Sequence, residues 1–152
     1  MKKLLVLGVG NILMMDEGIG VHAVHELLKE EWQEEIDLID GGTFTQDICY
    51  LFVEYEKILV LDIVMGGKTA GTIYRLTEND LRQNRKQTLS LHDIDLLDSI
   101  SMARMAGKIP ELHVLGIEPE SIDWSMELTP TLTRLFPHYV ELARQEIKSL
   151  LK

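Results

Sequence analysis

"GVGNILMMDEGIG", residues 8–20, decides how this chain is read. An apolar run, Leu4 to Leu7, leads into it, and a helical pattern follows. A glycine-rich loop between a strand and a helix is where a nucleotide phosphate would sit. Yet two adjacent carboxylates, Asp16 and Glu17, occupy the middle of this loop. Either it cradles a phosphate or it holds a cation.

The pattern around the loop alternates strand and helix. Residues 2–9 read as a buried strand, and residues 18–32 as an amphipathic helix with Val21, Val24, Leu28 and Trp32 on one stripe. Residues 35–40 form a second strand, closed by Gly41 and Gly42. Residues 45–55 fit a short helix with Thr45 as its N-cap. "KILVLDIV" (57–64) is a continuous apolar strand, and the alternating "GTIYRLT" (71–77) suits a strand at a sheet edge. Residues 78–91 are polar and carry no clear period. Residues 93–107 read as a helix closed by Gly107, and residues 111–120 as strand then loop. From Leu132 to Leu151 the apolar residues fall at helical spacing; Pro137 predicts a kink or a helix start there. There are no repeats and no linker, so residues 1–152 read as one domain.

Strands apolar on both faces, alternating with helices, imply a mainly parallel sheet covered on both sides. Ligands of such sheets bind beyond the C-terminal strand ends, near a topological switch point. The segments to inspect are therefore 10–17, 40–43, 62–67 and 116–121.

Composition limits the partners. The 152 residues are 45% hydrophobic and 26% charged, which suits a folded domain with a real core. The formal net charge of −10 argues against nucleic acid or an anionic membrane surface, both of which reward clustered Lys and Arg. No apolar run approaches the ~20 residues of a membrane span. The N-terminal "MKKLLVLGVG" reads as a strand and not as a targeting segment. Cys49 is the single cysteine, which rules out an internal disulfide and makes a reducing cytoplasm the expected location.

Three chemistries compete for the acids. A dinucleotide site would use Gly8 and Gly10, with Asp40 on a ribose, but the third glycine position holds Leu13 and the acids would repel a pyrophosphate. A phospho-acceptor receiver would use the acidic pair and Asp62, but it needs a lysine after the last strand, and "GIEPES" (116–121) has none. A metal site would use Glu17, Asp62 and a histidine. Asp62 carries the strongest signal: a carboxylate within "ILVLDIV" needs a partner, a proton or a metal. An arginine partner or a capping role would also satisfy it. Among the histidines, His22 and His25 flank the buried stripe of the first helix, His113 lies in a strand, and His138 falls on the exposed side of the last helix. His92, in "SLHDIDLLD" (90–98) just before a helix, is the one a loop can bring to the strand ends. Two carboxylates and one imidazole leave coordination positions open for ligands from a substrate.

"LVLGVGNILMMDEGIGV", "IDGGT" (39–43), "LVLDIV" (59–64), "SLHDIDLLD", "GIEPES" and "LTPTL" (128–132) occur in this order. The ordered set resembles the nickel–iron hydrogenase maturation endopeptidases over nearly the whole chain. The resemblance implies a three-layer α/β/α sandwich around a twisted, mainly parallel sheet, with 71–77 as an antiparallel edge strand. It implies removal of a C-terminal extension from a hydrogenase large-subunit precursor after nickel insertion, by an endopeptidase of aspartic or metal-dependent type; a monomer is the expected state. The family's nickel positions fall on Glu17, Asp62 and His92, with the nickel brought by the precursor. Asp16 is a general base or a cap of the first helix. "GGT" presents backbone to the substrate tail or simply makes a turn. There is no H-E-x-x-H motif and no serine or cysteine nucleophile motif. A nonenzymatic metal-sensing or chaperone module of the same fold, and a relative acting on another precursor, are the alternatives.

Overall fold

A computed structural model describes residues 2–43, 46–83 and 91–152, with side chains throughout except at 46–49 and 91–95. Strands β1 (Lys2–Val9), β2 (Ile36–Gly42), β3 (Tyr55–Ile63), β4 (Ile73–Thr77) and β5 (Glu111–Ile117) form one sheet in the order β2-β1-β3-β5-β4. All neighbours are parallel except β4, which runs antiparallel to β5 at the edge. Helices α1 (Ile19–Leu27) and α4 (Pro130–Leu150) cover one face, and α3 (Leu91–Met105) with a 3-10 helix (Gln46–Glu54) covers the other. The short α2 (Glu78–Gln83) follows β4.

Alternation along β1 and β3 feeds both cores. Leu4, Val6, Leu59 and Leu61 pack under α1 and α4, while Leu5, Leu7, Ile58 and Val60 pack under α3 and the 3-10 helix. This double burial is why both strands read as unbroken apolar runs. From β1 the chain steps out to β2, then crosses back over β1 to β3. The order reverses between β1 and β3, so the crevice beyond their C-terminal ends is the switch point.

Several helix limits differ from the sequence expectation. Helix α1 stops at Leu27, and Leu28 is 48% exposed. Trp32 does not extend the stripe. It folds back, and its indole N–H donates to the Leu27 carbonyl at 2.8 Å, satisfying one of the helix's terminal acceptors. Helix α4 does not start at Pro137. It begins at Pro130, behind Thr129, whose hydroxyl accepts from the Leu132 N–H, and it runs on through Pro137. The cap and the first-turn proline set the start, and the stripe of Tyr139, Val140, Ala143 and Ile147 buries the rest against the sheet. The polar 78–91 segment begins with α2, which buries only Leu81, too little to leave a period in the sequence. Thr45 lies outside the described residues, and the segment after it is 3-10 rather than α.

Candidate active site at the switch point

The glycines of the opening motif bring chain against chain. Gly10 has φ +142°, and a Cβ there would lie 1.8 Å from the Glu17 carbonyl oxygen. Gly20, in the first turn of α1, lies so close to the sheet that a Cβ would sit 2.0 Å from the Leu61 carbonyl oxygen and 2.7 Å from that of Val9. Glycine is needed at both positions for close approach. Gly10 folds the Met15–Gly18 turn back over the end of β1, and Gly20 seats α1 directly on β1 and β3. The same turn lies against β3.

Asp62 is the last residue but one of that strand. Gly8 pairs with Leu61, so Val9 and Asp62 lie side by side. Asp62 is 1% exposed, and one carboxylate oxygen accepts the Ile63 N–H at 2.8 Å. By alternation its side chain belongs to the face covered by α3. Helix α3 feeds β5 from below, so its first turn lies at the same sheet end as Asp62. Residue 92 is in that first turn and not in a loop before the helix; the His92 side chain lies outside the described residues. Glu17 is half-buried on its turn. The fold thus gathers the Glu17 turn, Asp62 and the backbone of residue 92 at one end of the sheet. Among the described residues no three His, Cys, Asp or Glu side chains are grouped to hold a metal by themselves.

Behind Asp62, the buried Tyr139 hydroxyl donates to the Leu115 carbonyl at 2.6 Å. Burial and the neighbouring Asp62 charge push its ionisation well above the usual phenol range, so it stays a neutral donor.

Asp16 does not cap α1, whose N-cap is Gly18 and which has no side-chain capping hydrogen bond. Its carboxylate is fully buried and bonded to the 120–129 segment. One oxygen accepts the Glu120 and Ser121 N–H groups at 2.9 and 3.1 Å. The other accepts the Thr129 N–H at 2.9 Å, and the Thr129 hydroxyl lies 3.0 and 2.9 Å from the two oxygens.

A second carboxylate was missed by sequence reasoning. Glu118 is 6% exposed, and one of its oxygens accepts from the Gly66 N–H, the Lys68 N–H and the Tyr74 hydroxyl at 2.9, 3.0 and 2.6 Å. Burial and this bond push the Tyr74 hydroxyl up to about 12. Glu118 follows "HVLGI" as Asp62 follows "ILVL", so the same signal, an acid closing an apolar run, was available to find it. It fastens the β3–β4 loop beside the site.

The remaining expected residues lie apart. Asp40 pairs with His25 at 2.8 Å. His22 is held below its usual value by burial and by the nearby His25. His138 is exposed, and His113 lies in β5. In "GGT", the Gly42 carbonyl accepts the Gly10 N–H at 2.7 Å, which ties the ends of β1 and β2 together. A groove of about 320 Å³, lined by Gly10, Asn11, Leu13, Asp40 and Thr43 among others, opens beside this tie.

An α/β/α sandwich with acids gathered at its switch point defines the class. The family model for hydrogenase maturation proteases matches residues 21–146. Hydrogenase 2 maturation protease of Escherichia coli K12 is 30% identical over 154 aligned positions, covering 99% of this chain and 91% of that protein. The hydrogenase expression/formation protein HupD of Rhizobium leguminosarum is also 30% identical, covering 97% of this chain and 75% of its own length. The solved structure of the hydrogenase maturating endopeptidase HybD from E. coli superposes with a TM-score of 0.87 at 28% identity, over 97% of this chain and 93% of that one. This chain belongs to the hydrogenase maturation protease family, and it is a peptidase.

Proposed function

We propose that this peptidase removes the C-terminal extension of a nickel–iron hydrogenase large-subunit precursor once nickel has been inserted. In this reading Glu17, Asp62 and His92 supply the enzyme's contacts to the nickel that arrives in the substrate. The observation that carries the reading is the meeting of the Glu17 turn with the end of β3 at the switch point, on a scaffold shared with maturation endopeptidases. Carboxylate and imidazole donors suit a divalent first-row ion. Nickel would act as a Lewis acid on the scissile carbonyl or on a water beside it. The chain's own part is to position that ion, leaving coordination sites for the precursor's ligands. Hence we favour the metal-dependent type over the aspartic type.

Asp16 fits a holding role better than that of a general base, since both of its oxygens already accept donors and neither meets solvent. The surroundings suit a protein substrate. Ile12, Leu13, Met65, Trp124 and Met126 are large exposed apolar residues on loops at or near this end of the sheet. Exposed apolar groups gathered in one region are typical of interaction surfaces. No described helix is long and apolar enough to cross a membrane. We read the enzyme as a cytoplasmic monomer. The nonenzymatic alternative falls away with membership of a peptidase family.

Glu17→Gln and His92→Ala test the ligand set. Each is expected to lose processing of nickel-loaded precursor, followed by mass, while its thermal melt stays close to that of the unaltered protein. Full processing by either variant would remove that residue from the set.

A further inference from the structure

We propose that Asp16 is a positioning residue, a latch that fixes the Glu17 turn by tying it to the 120–129 segment. The proposal rests on the reading of Glu17 as a contact to the substrate's nickel.

Two independent features carry it. The first is the bonding of the carboxylate. Asp16 is fully buried, and its partners Glu120, Ser121 and Thr129 lie more than a hundred positions away in sequence. The Thr129 hydroxyl that donates to Asp16 also accepts the Leu132 N–H, so the latch runs on into the first turn of α4. Hydrogen bonds to an ionised carboxylate are among the stronger ones. A carboxylate committed in this way has no access to a substrate proton or to a water in the crevice.

The second feature is backbone strain on the adjacent residue. Met15 has φ +54°, in the left-handed region, and it is the one non-glycine residue with positive φ among those described. Such conformations persist where the surroundings over-determine them. Here the surroundings are backbone bonds to the same distant segment. The Met15 N–H donates to the Ser125 carbonyl at 2.9 Å, and the Ser125 N–H donates to the Leu13 carbonyl at 2.9 Å. Met15 and Asp16 are therefore both held by 120–129, and Glu17 is the next residue. Without the latch the turn can relax at Met15, and the Glu17 carboxylate moves with it. A misplacement of about 1 Å at a reacting centre can cost about a hundredfold in rate.

The test compares Asp16→Asn, Thr129→Val and Thr129→Ser with the unaltered enzyme. Turnover and KM are measured on nickel-loaded precursor, and amide exchange is measured over 11–18 and 118–130. An asparagine side chain can accept on one side only, so it presents its NH2 to donors on the other. Asp16→Asn should lower turnover about a hundredfold with a much smaller change in KM, and it should speed exchange in both segments. Thr129→Val should shift both readouts in the same direction, and Thr129→Ser, which keeps the hydroxyl, should restore them.

Two results would overturn the proposal. One is faster exchange with unchanged turnover, which makes Asp16 structural only. The other is loss of turnover in Asp16→Asn with Thr129→Val unaffected in both readouts, which makes Asp16 a reacting group. If Asp16→Asn does not fold, the two Thr129 variants decide alone. Failure of the underlying reading would show separately, as full processing by Glu17→Gln, while the exchange result would still stand.

Discussion

Asp62→Asn is expected to abolish processing of the nickel-loaded precursor while leaving the protein folded. The substitution is nearly isosteric, and the amide oxygen can still accept the Ile63 N–H that the carboxylate accepts at 2.8 Å. What it removes is the negative charge at the end of β3, in a position 1% exposed. Loss of a partner in a metal's outer shell typically costs ~10–100-fold, and a direct contact should cost at least about a hundredfold. Processing would be followed as the mass change of the precursor, and folding by a thermal melt. The melting temperature should stay within a few degrees, since a shift of ~2–4 °C corresponds to only ~1 kcal/mol at this size. Normal processing by the folded variant would take Asp62 out of the mechanism.

Gly10→Ala is expected to have the largest effect on stability. A Cβ at this position would lie 1.8 Å from the Glu17 carbonyl oxygen and 3.0 Å from its carbon. Both atoms are backbone, so no side chain can swing aside. The φ of +142° is also one that side-chain-bearing residues rarely adopt. A clash and a dihedral penalty together should cost about 3 kcal/mol or more, lowering the melting temperature by ~6–12 °C. The protein can escape the clash only by moving the Met15–Gly18 turn, which carries Glu17 away from the end of β3. Processing should therefore fall further than the melt alone would suggest. A variant that melts and processes normally would show that the close approach at Gly10 is not needed.

Residues differ in how much of their role can be read from sequence. The paired burial of β1 and β3 is written in runs such as "LLVLGV" and "ILVLDIV", because parallel strands covered on both faces tolerate no polar alternation. Asp62 stood out for the same reason, as a charge where burial was expected. The alternation of 71–77 pointed to a sheet edge, and β4 occupies it. Gly8 and Gly10 misled only as long as glycine was read as room for a phosphate. In the fold, Gly10 makes room for the chain's own Glu17 carbonyl.

Other roles depend on partners far along the chain. Nothing near Asp16 in sequence announces Thr129, and a local helix cap was the natural expectation. Glu118 carried the same signal as Asp62, but its partners on the β3–β4 loop appear only once β4 has paired with β5. The early end of α1 was hidden because Trp32 fits the helical period, although it reaches the Leu27 carbonyl from a loop. Pro137 breaks most helices. Here the burial of Tyr139, Val140, Ala143 and Ile147 against the sheet outweighs the one backbone bond that proline forgoes.

The central claim is that the enzyme recognises its precursor through the nickel the precursor carries. The most direct measurement incubates the protein with nickel-loaded and nickel-free large-subunit precursor under reducing, anaerobic conditions and weighs the products. The account predicts loss of the C-terminal extension from the loaded form and an unchanged mass for the nickel-free form. Equal cleavage of both forms, or cleavage of neither, would contradict it.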